Sequence, residues 1–340
     1  MRIRSIRPLS SGLAALAISF IAGCTTVQSP TTPTAQQAPA QIYESEDFIV
    51  VIAKSGDTPQ MLAGKYLGDP GKEWMIEEYN NSSTLSAGQQ VVIPKTFWKV
   101  SGVDIAGYQL VPILVYHNLG PQSKGRLVLG AKAFEEQMRY LKAQNYHVIA
   151  LKEFLDFTAL KRQLPQKSVV LTFDDGYKAF LQYAYPVLKE LGFPATLFVY
   201  TDYIGFGGNA LTWPELKKLT SEGFEIQAHS KSHGDMRRGN GEPADEYTRR
   251  LNAELVQPRE LFQKNLGYSP DILAYPFGRQ DDTVVQRTKD RGYVAAFTVL
   301  RQGNPAFVER LRIHRSQIYS DMSLDDFIKN LNTYNSESLK

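Results

Sequence analysis

From residue 111 onward, short β-branched apolar runs alternate with stretches in which apolar residues recur every three or four positions. The first pattern predicts buried strands and the second predicts amphipathic helices. Strands are expected at 111–116, 147–150, 168–173, 195–200, 224–228, 272–275 and 293–299. Between them, helices are expected at 131–144, 152–160, 177–191, 213–221, 247–265 and 282–291. Pro194 opens one of the strands, and Thr212 caps one of the helices. Strand–helix units repeated over this length predict a parallel sheet, and seven or eight of them predict its closure into a barrel. The fold class is therefore α/β.

The chain ahead of this region divides into four parts. Residues 1–24 place Arg2, Arg4 and Arg7 before an uncharged apolar run at 13–22, the order of a secretory signal rather than a membrane-spanning helix. Residues 25–46 form a linker whose first part is rich in Thr, Gln, Pro and Ala and cannot bury a core. Residues 47–95 read as a small β-α-α-β domain: a strand at 48–53, a turn at 54–58, helices at 59–66 and 73–79, and a strand at 90–93. Residues 96–110 connect it to the large domain, 111–340.

Charge narrows the partners. Removing 1–24 takes three of the 38 basic side chains and none of the 35 acidic ones, which leaves the two equal. A neutral mature chain creates no field to attract nucleic acid. Cys24 is the only cysteine, so no disulfide can form within the chain.

The candidate chemistry gathers at strand ends. Val169, Val170, Leu171 and Phe173 make the kind of strand a parallel sheet buries on both faces, and it stops at Asp174, Asp175 and Gly176. Catalytic residues collect at the C-terminal edge of such sheets, although an isolated Asp-Asp-Gly also reads as a turn with a helix cap. His229 and His233 follow the strand at 224–228 directly. Two imidazoles four positions apart, with Asp175 as a third ligand, leave open positions for water and substrate on a metal ion. Two solvated loop histidines are the alternative. Two His and one Asp suit zinc, while cobalt, nickel and iron bind similar sets.

The order TFDDGY, HSKSH, AYPFG and LRIH resembles the motifs of the polysaccharide deacetylase family with the NodB homology domain. That resemblance implies a distorted β/α barrel and hydrolysis of N-acetyl groups on aminosugars. It implies Asp174 as general base, Asp175, His229 and His233 as metal ligands, and His314 as general acid. The turn at Phe277 would offer its backbone N–H to the oxyanion. The family's third motif carries an arginine near Ala274; here Arg279, Arg312 and Arg315 are the candidates to replace it, and the fourth-motif Asp-Trp pair has no counterpart. His117, after Val115 and Tyr116, resembles the active-site histidine of the branch acting on exported poly-N-acetylglucosamine, whereas His147 precedes a strand and reads as structural.

Two further resemblances concern location. SGDT, YNN and SAGQQVVIP across 47–95 are similar to a LysM domain, which implies binding to peptidoglycan or another N-acetylglucosamine-containing glycan. Ile21-Ala22-Gly23-Cys24 resembles a bacterial lipobox, which implies lipidation at Cys24 and a membrane anchor facing the periplasm or exterior. Thr25 lacks the aspartate of inner-membrane retention, so the outer membrane is expected if there are two. The expected function is a metal-dependent envelope deacetylase. The alternatives are an O-acetyl esterase on the same fold and an inactive glycan-binding lipoprotein.

Overall fold

The computed structural model describes residues 42–336, so the signal segment and Cys24 lie outside the described residues. The small domain pairs Phe48–Ile52 antiparallel with Gln90–Pro94 and packs helices Pro59–Leu67 and Glu73–Asn80 against one face. Thr58 caps the first helix by accepting from the Met61 N–H, and Gly68 ends it in the left-handed conformation. Asn80 ties the second helix to the sheet: its Nδ2 donates to the Ile76 and Val92 carbonyls, and its Oδ1 accepts from the Val92 N–H. The Glu78 carboxylate then reaches the large domain, accepting from the Gln166 N–H at 2.8 Å.

The large domain is built on a parallel sheet in the order Ala295–Phe297, Ile272–Ala274, Glu225–Ala228, Thr196–Val199, Ser168–Asp175, Ile113–Tyr116 and Ser316–Gln317. From Ile113–Tyr116 through Ala295–Phe297, each strand is added beside its predecessor with helices between, so the sheet curls in one direction. Every residue of Ser168–Asp175 is buried, as are all of Ile113–Tyr116 and Thr196–Val199. One face of this centre is filled by Tyr116, Phe134, Phe173 and Phe180 in edge and stacked contacts 4.8–5.8 Å apart.

Two expectations need correction. The regular ladder is a curled half-barrel rather than a closed barrel. A single extended segment touches both edges at different points: Ile313 pairs with Phe297, while only Ser316 and Gln317 reach Leu114 and Val115. Residues 298–312 carry neither helix nor strand apart from a single bridge at Asn304, so no continuous last strand forms. The expected helix at 177–191 is a widened π turn at Phe180–Ala184 followed by Tyr185–Leu191. Pro186 has no N–H to give the carbonyl four residues back, and the turn before it opens.

Candidate active site

Asp174 and Asp175 end the central strand with 3% and 7% exposure, and they take different partners. The backbone makes the difference: Asp175 has φ 73°, and Gly176 follows at φ 84° with so little room that a Cβ there would lie 3.0 Å from Val199. Asp174 stays on the interior face, where its two oxygens accept from the Arg315 guanidinium. Burial pushes the Asp174 carboxyl up, but the charges of Arg315 and His229 outweigh it and hold it at about 2.

His229 follows the Glu225–Ala228 strand and is 1% exposed. Its Nδ1 donates to the Ala274 carbonyl at 2.8 Å, which leaves the Nε2 lone pair facing Asp175 Oδ1 at 3.5 Å and Asp174 Oδ2 at 3.7 Å. Burial lowers its pKa by more than the neighbouring Asp174 and Asp175 carboxylates raise it. His233 Nε2 stands 3.2 Å from the same Asp175 oxygen. That oxygen is buried and meets neither ring at hydrogen-bonding geometry. One carboxylate oxygen and two imidazoles thus converge within 4.8 Å of one another, a donor set that fits a divalent ion. Burial raises Asp175, and the neighbouring His233 and His229 more than reverse the shift.

An aromatic wall borders the cluster. Phe277 lies 4.7 Å from the His233 ring and is 53% exposed. Tyr200 is 5.1 Å from His233 and stacks on Tyr203, which in turn meets Tyr177. Phe277, Asp175, Ser230 and His233 are four of the seven described non-glycine residues with positive φ, so strained backbone concentrates here.

The remaining candidates separate. His117 follows the strand next to the aspartates, near enough for its charge to lower both of their pKa values, and its buried Nδ1 has no hydrogen-bond partner. His314 is not brought into the cluster. Arg315 points inward to Asp174, and in an extended segment its neighbour must point the other way. His314 accordingly lines a cleft with Tyr108, Leu110, Gly303 and Asn332, beside the beginning of the Ile113–Tyr116 strand. Of the three arginines, Arg279 pairs with Asp235 and Arg312 with Glu309, both towards solvent. Arg315 alone of the three reaches Asp174. Its signal was the same alternation, since Ile313 and Arg315 share a face. No sequence motif marks Tyr200 and Tyr203, although Tyr200 directly follows the apolar strand Thr196–Val199.

Residues 161–296, which contain both aspartates, both ligand histidines and Phe277, match the family model described as Polysaccharide deacetylase. The chain carries a polysaccharide deacetylase domain. Over 210 residues it is 26% identical to the poly-β-1,6-N-acetyl-D-glucosamine N-deacetylase of Staphylococcus epidermidis, covering 60% of this chain and 72% of that one. The protein of the same name from Staphylococcus aureus strain MRSA252 is 28% identical over 209 residues, covering 58% and 69%. Among solved structures, the Streptococcus pyogenes deacetylase PplD in complex with acetate superposes with a TM-score of 0.60 at 24% identity, covering 66% of this chain and 99% of that one. IcaB from Ammonifex degensii gives 0.59 at 22%, covering 66% and 98%. At these identities the two structures speak to the deacetylase domain's fold.

Proposed function

We propose that the chain removes N-acetyl groups from poly-N-acetylglucosamine in the bacterial cell envelope, with a divalent metal, zinc first, as cofactor. The observation that carries this reading is a carboxylate held ionised by Arg315 beside a two-histidine, one-aspartate cluster. A divalent ion held by Asp175, His229 and His233 would polarise the acetamide carbonyl and acidify water. Asp174 takes the proton from the attacking water as its oxygen bonds to the carbonyl carbon. Arg315 fixes the plane in which that carboxylate waits. When the carbon–nitrogen bond breaks, His117 supplies the proton that the departing amine needs, in place of His314. The Phe277 turn is the candidate oxyanion donor, and its ring, with Tyr200 and Tyr203, offers apolar faces to a sugar.

Two features support a polymeric substrate of this kind. Clefts lie on both sides of the cluster along the strand ends, one of about 480 Å³ beside Asn118, Lys178 and Asn209, the other of about 700 Å³ beside Asp235, Arg237 and Gln280. The staphylococcal relatives are named for the β-1,6-linked polymer. The small domain, read as a LysM module, would hold the enzyme on N-acetylglucosamine-containing glycan such as peptidoglycan. Lipidation of Cys24 would anchor it, at the outer membrane where there are two. No helix among the described residues is long and apolar enough to cross a membrane.

The test is incubation with β-1,6-linked N-acetylglucosamine oligomers, chitooligosaccharides, peptidoglycan and acetylated xylan, with and without chelator. Acetate appearing with an equal amount of free amine, on the β-1,6 oligomers above the rest and only with metal, is the expected result. Acetate without amine would make the enzyme an esterase.

A further inference from the structure

The helix Ala244–Leu266 buries Tyr247, Leu251, Leu255, Pro258 and Phe262 along one stripe, and among them stands a carboxylate, Glu254, only 5% exposed. Nothing in the hydrolytic scheme uses it. An ionised group at a core position of an amphipathic helix is costly unless its oxygens are fully engaged. None of the ion pairs among the described residues involves it. Its partners are instead the loop between the two ligand histidines. Glu254 Oε2 accepts from the backbone N–H of Lys231 at 3.0 Å and of Ser232 at 2.9 Å, and Oε1 accepts from the Ser232 hydroxyl at 2.6 Å.

That loop needs a clamp. Ser230 at φ 70° and His233 at φ 62° both occupy the left-handed region, a strained backbone for residues with a side chain. With those angles the two rings turn back to one Asp175 oxygen, at 3.5 and 3.2 Å. On one side the loop is held by Thr201 and Asp202, whose N–H groups donate to the Ser230 and Lys231 carbonyls. Within the loop, Ser230 Oγ accepts from the His233 N–H at 3.1 Å. Glu254 supplies the other side and takes up the two N–H groups that point away from the first clamp. We infer that Glu254 is the positioning residue that prefolds the His229–His233 loop for metal capture, acting through Lys231 and Ser232 without touching substrate or ion. This inference rests on the metal-site reading above.

Competition between the full chain and a chromophoric chelator for Zn²⁺ tests it without substrate. Glu254→Ala should bind Zn²⁺ about 10–100-fold more weakly than the wild type, the usual consequence of losing a group that orients a ligand. Glu254→Gln should stay close to the wild type. Its amide oxygen can accept both N–H bonds, and its NH₂ can donate to a reoriented Ser232 hydroxyl. Hydrogen exchange at Ser232 and His233 should rise in the alanine variant alone, and saturating Zn²⁺ should restore its kcat on acetylated oligomer. Wild-type affinity in Glu254→Ala overturns the inference, and so does equal weakening in Glu254→Gln or a kcat that excess metal does not restore. Should Glu254→Ala not fold, Glu254→Asp carries the test, because its shorter side chain draws the carboxylate back from both N–H groups, and unchanged affinity there overturns the inference. Failure of the wild type to bind Zn²⁺ is a different result and removes the metal reading itself.

Discussion

The Arg315 guanidinium holds both carboxylate oxygens of Asp174 at 2.7 Å, Nη1 to Oδ1 and Nη2 to Oδ2, with both side chains out of solvent. Arg315 is itself fixed by donation from Nε to the Thr298 carbonyl and by the Phe198 and Phe297 rings. A two-pronged pair sets direction as well as charge, so the base has one orientation before any substrate arrives.

Replacing Arg315 by Lys keeps the charge and loses the fork, so turnover should fall by about 10²-fold as the base loses its geometry. Arg315→Met should unfold more readily by roughly 3–5 kcal/mol, because a buried carboxylate loses its partner. The wild-type carboxyl is depressed below its ordinary 3.8, so its stabilisation is complete above that value and fades as pH falls through about 2. Without the arginine, burial is less opposed and the pKa rises. Denaturant unfolding against pH should therefore show the acid limb moving upward in Arg315→Met, as should kcat/KM in any active variant. An unmoved limb would show that Arg315 does not set the charge of Asp174.

The two aspartates divide the work. Asp175→Asn weakens the donor set that faces His229 and His233, and should release metal. Asp174→Asn should retain metal and lose most turnover, ~10²-fold or more for a positioned base. Metal content and single-turnover rates on the same preparations separate the two losses. Equal metal and near wild-type rates in both variants would falsify the assignment.

Much of this site was legible because its parts obey local rules. The apolar run 168–173 could only be a buried strand, and the residues after it had to stand at the sheet's C-terminal edge. The pair His229 and His233 was legible for the same reason. What the motifs could not supply was which way each side chain faces in the irregular stretch near residue 314. There, one residue of register exchanges the inward and outward faces, so LRIH suggested His314 while the fold turned Arg315 inward instead. Barrel closure failed on the same stretch, since a count of strand–helix units does not say whether the last strand is long enough to bridge two edges. Glu254 was hidden differently: a lone Glu on a helix reads as solvated until its neighbours show that face to be buried.

Glu78 makes the seam between the domains sensitive to pH. Burial pushes its carboxyl up to about 7, only partly offset by the Gln166 N–H and the Gln163 side chain. A folded-state pKa above the ordinary 4.5 means that its contribution is full below 4.5 and is lost as pH rises through about 7. Thermal stability should decline over that window. Glu78→Gln, which cannot ionise, should flatten the decline and raise Tm near pH 8 by a few degrees (roughly 2–4 °C). An unchanged slope in Glu78→Gln would place the titration elsewhere.

The identity of the acid decides between two descriptions of the enzyme. His117 stands at the end of the strand beside the aspartates, whereas His314 faces a different cleft and makes its backbone contacts to Asn304. An amine must be protonated as it leaves, but a phenolate leaves without help. His117→Ala should therefore depress hydrolysis of an acetamide far more than hydrolysis of an activated acetate ester of similar shape. His314→Ala should slow both substrates alike and only slightly. Its ring is kept neutral by burial, and the nearby Gly303 carbonyl only partly opposes that shift. Selective loss of amide turnover in His314→Ala, with His117→Ala unaffected, would return the acid to the position that the LRIH motif suggests and would require the 298–315 segment to rearrange when substrate binds. The same two variants compared on β-1,6 and β-1,4 oligomers carry the substrate question with them, since only a histidine that touches the sugar should alter the preference between the linkages.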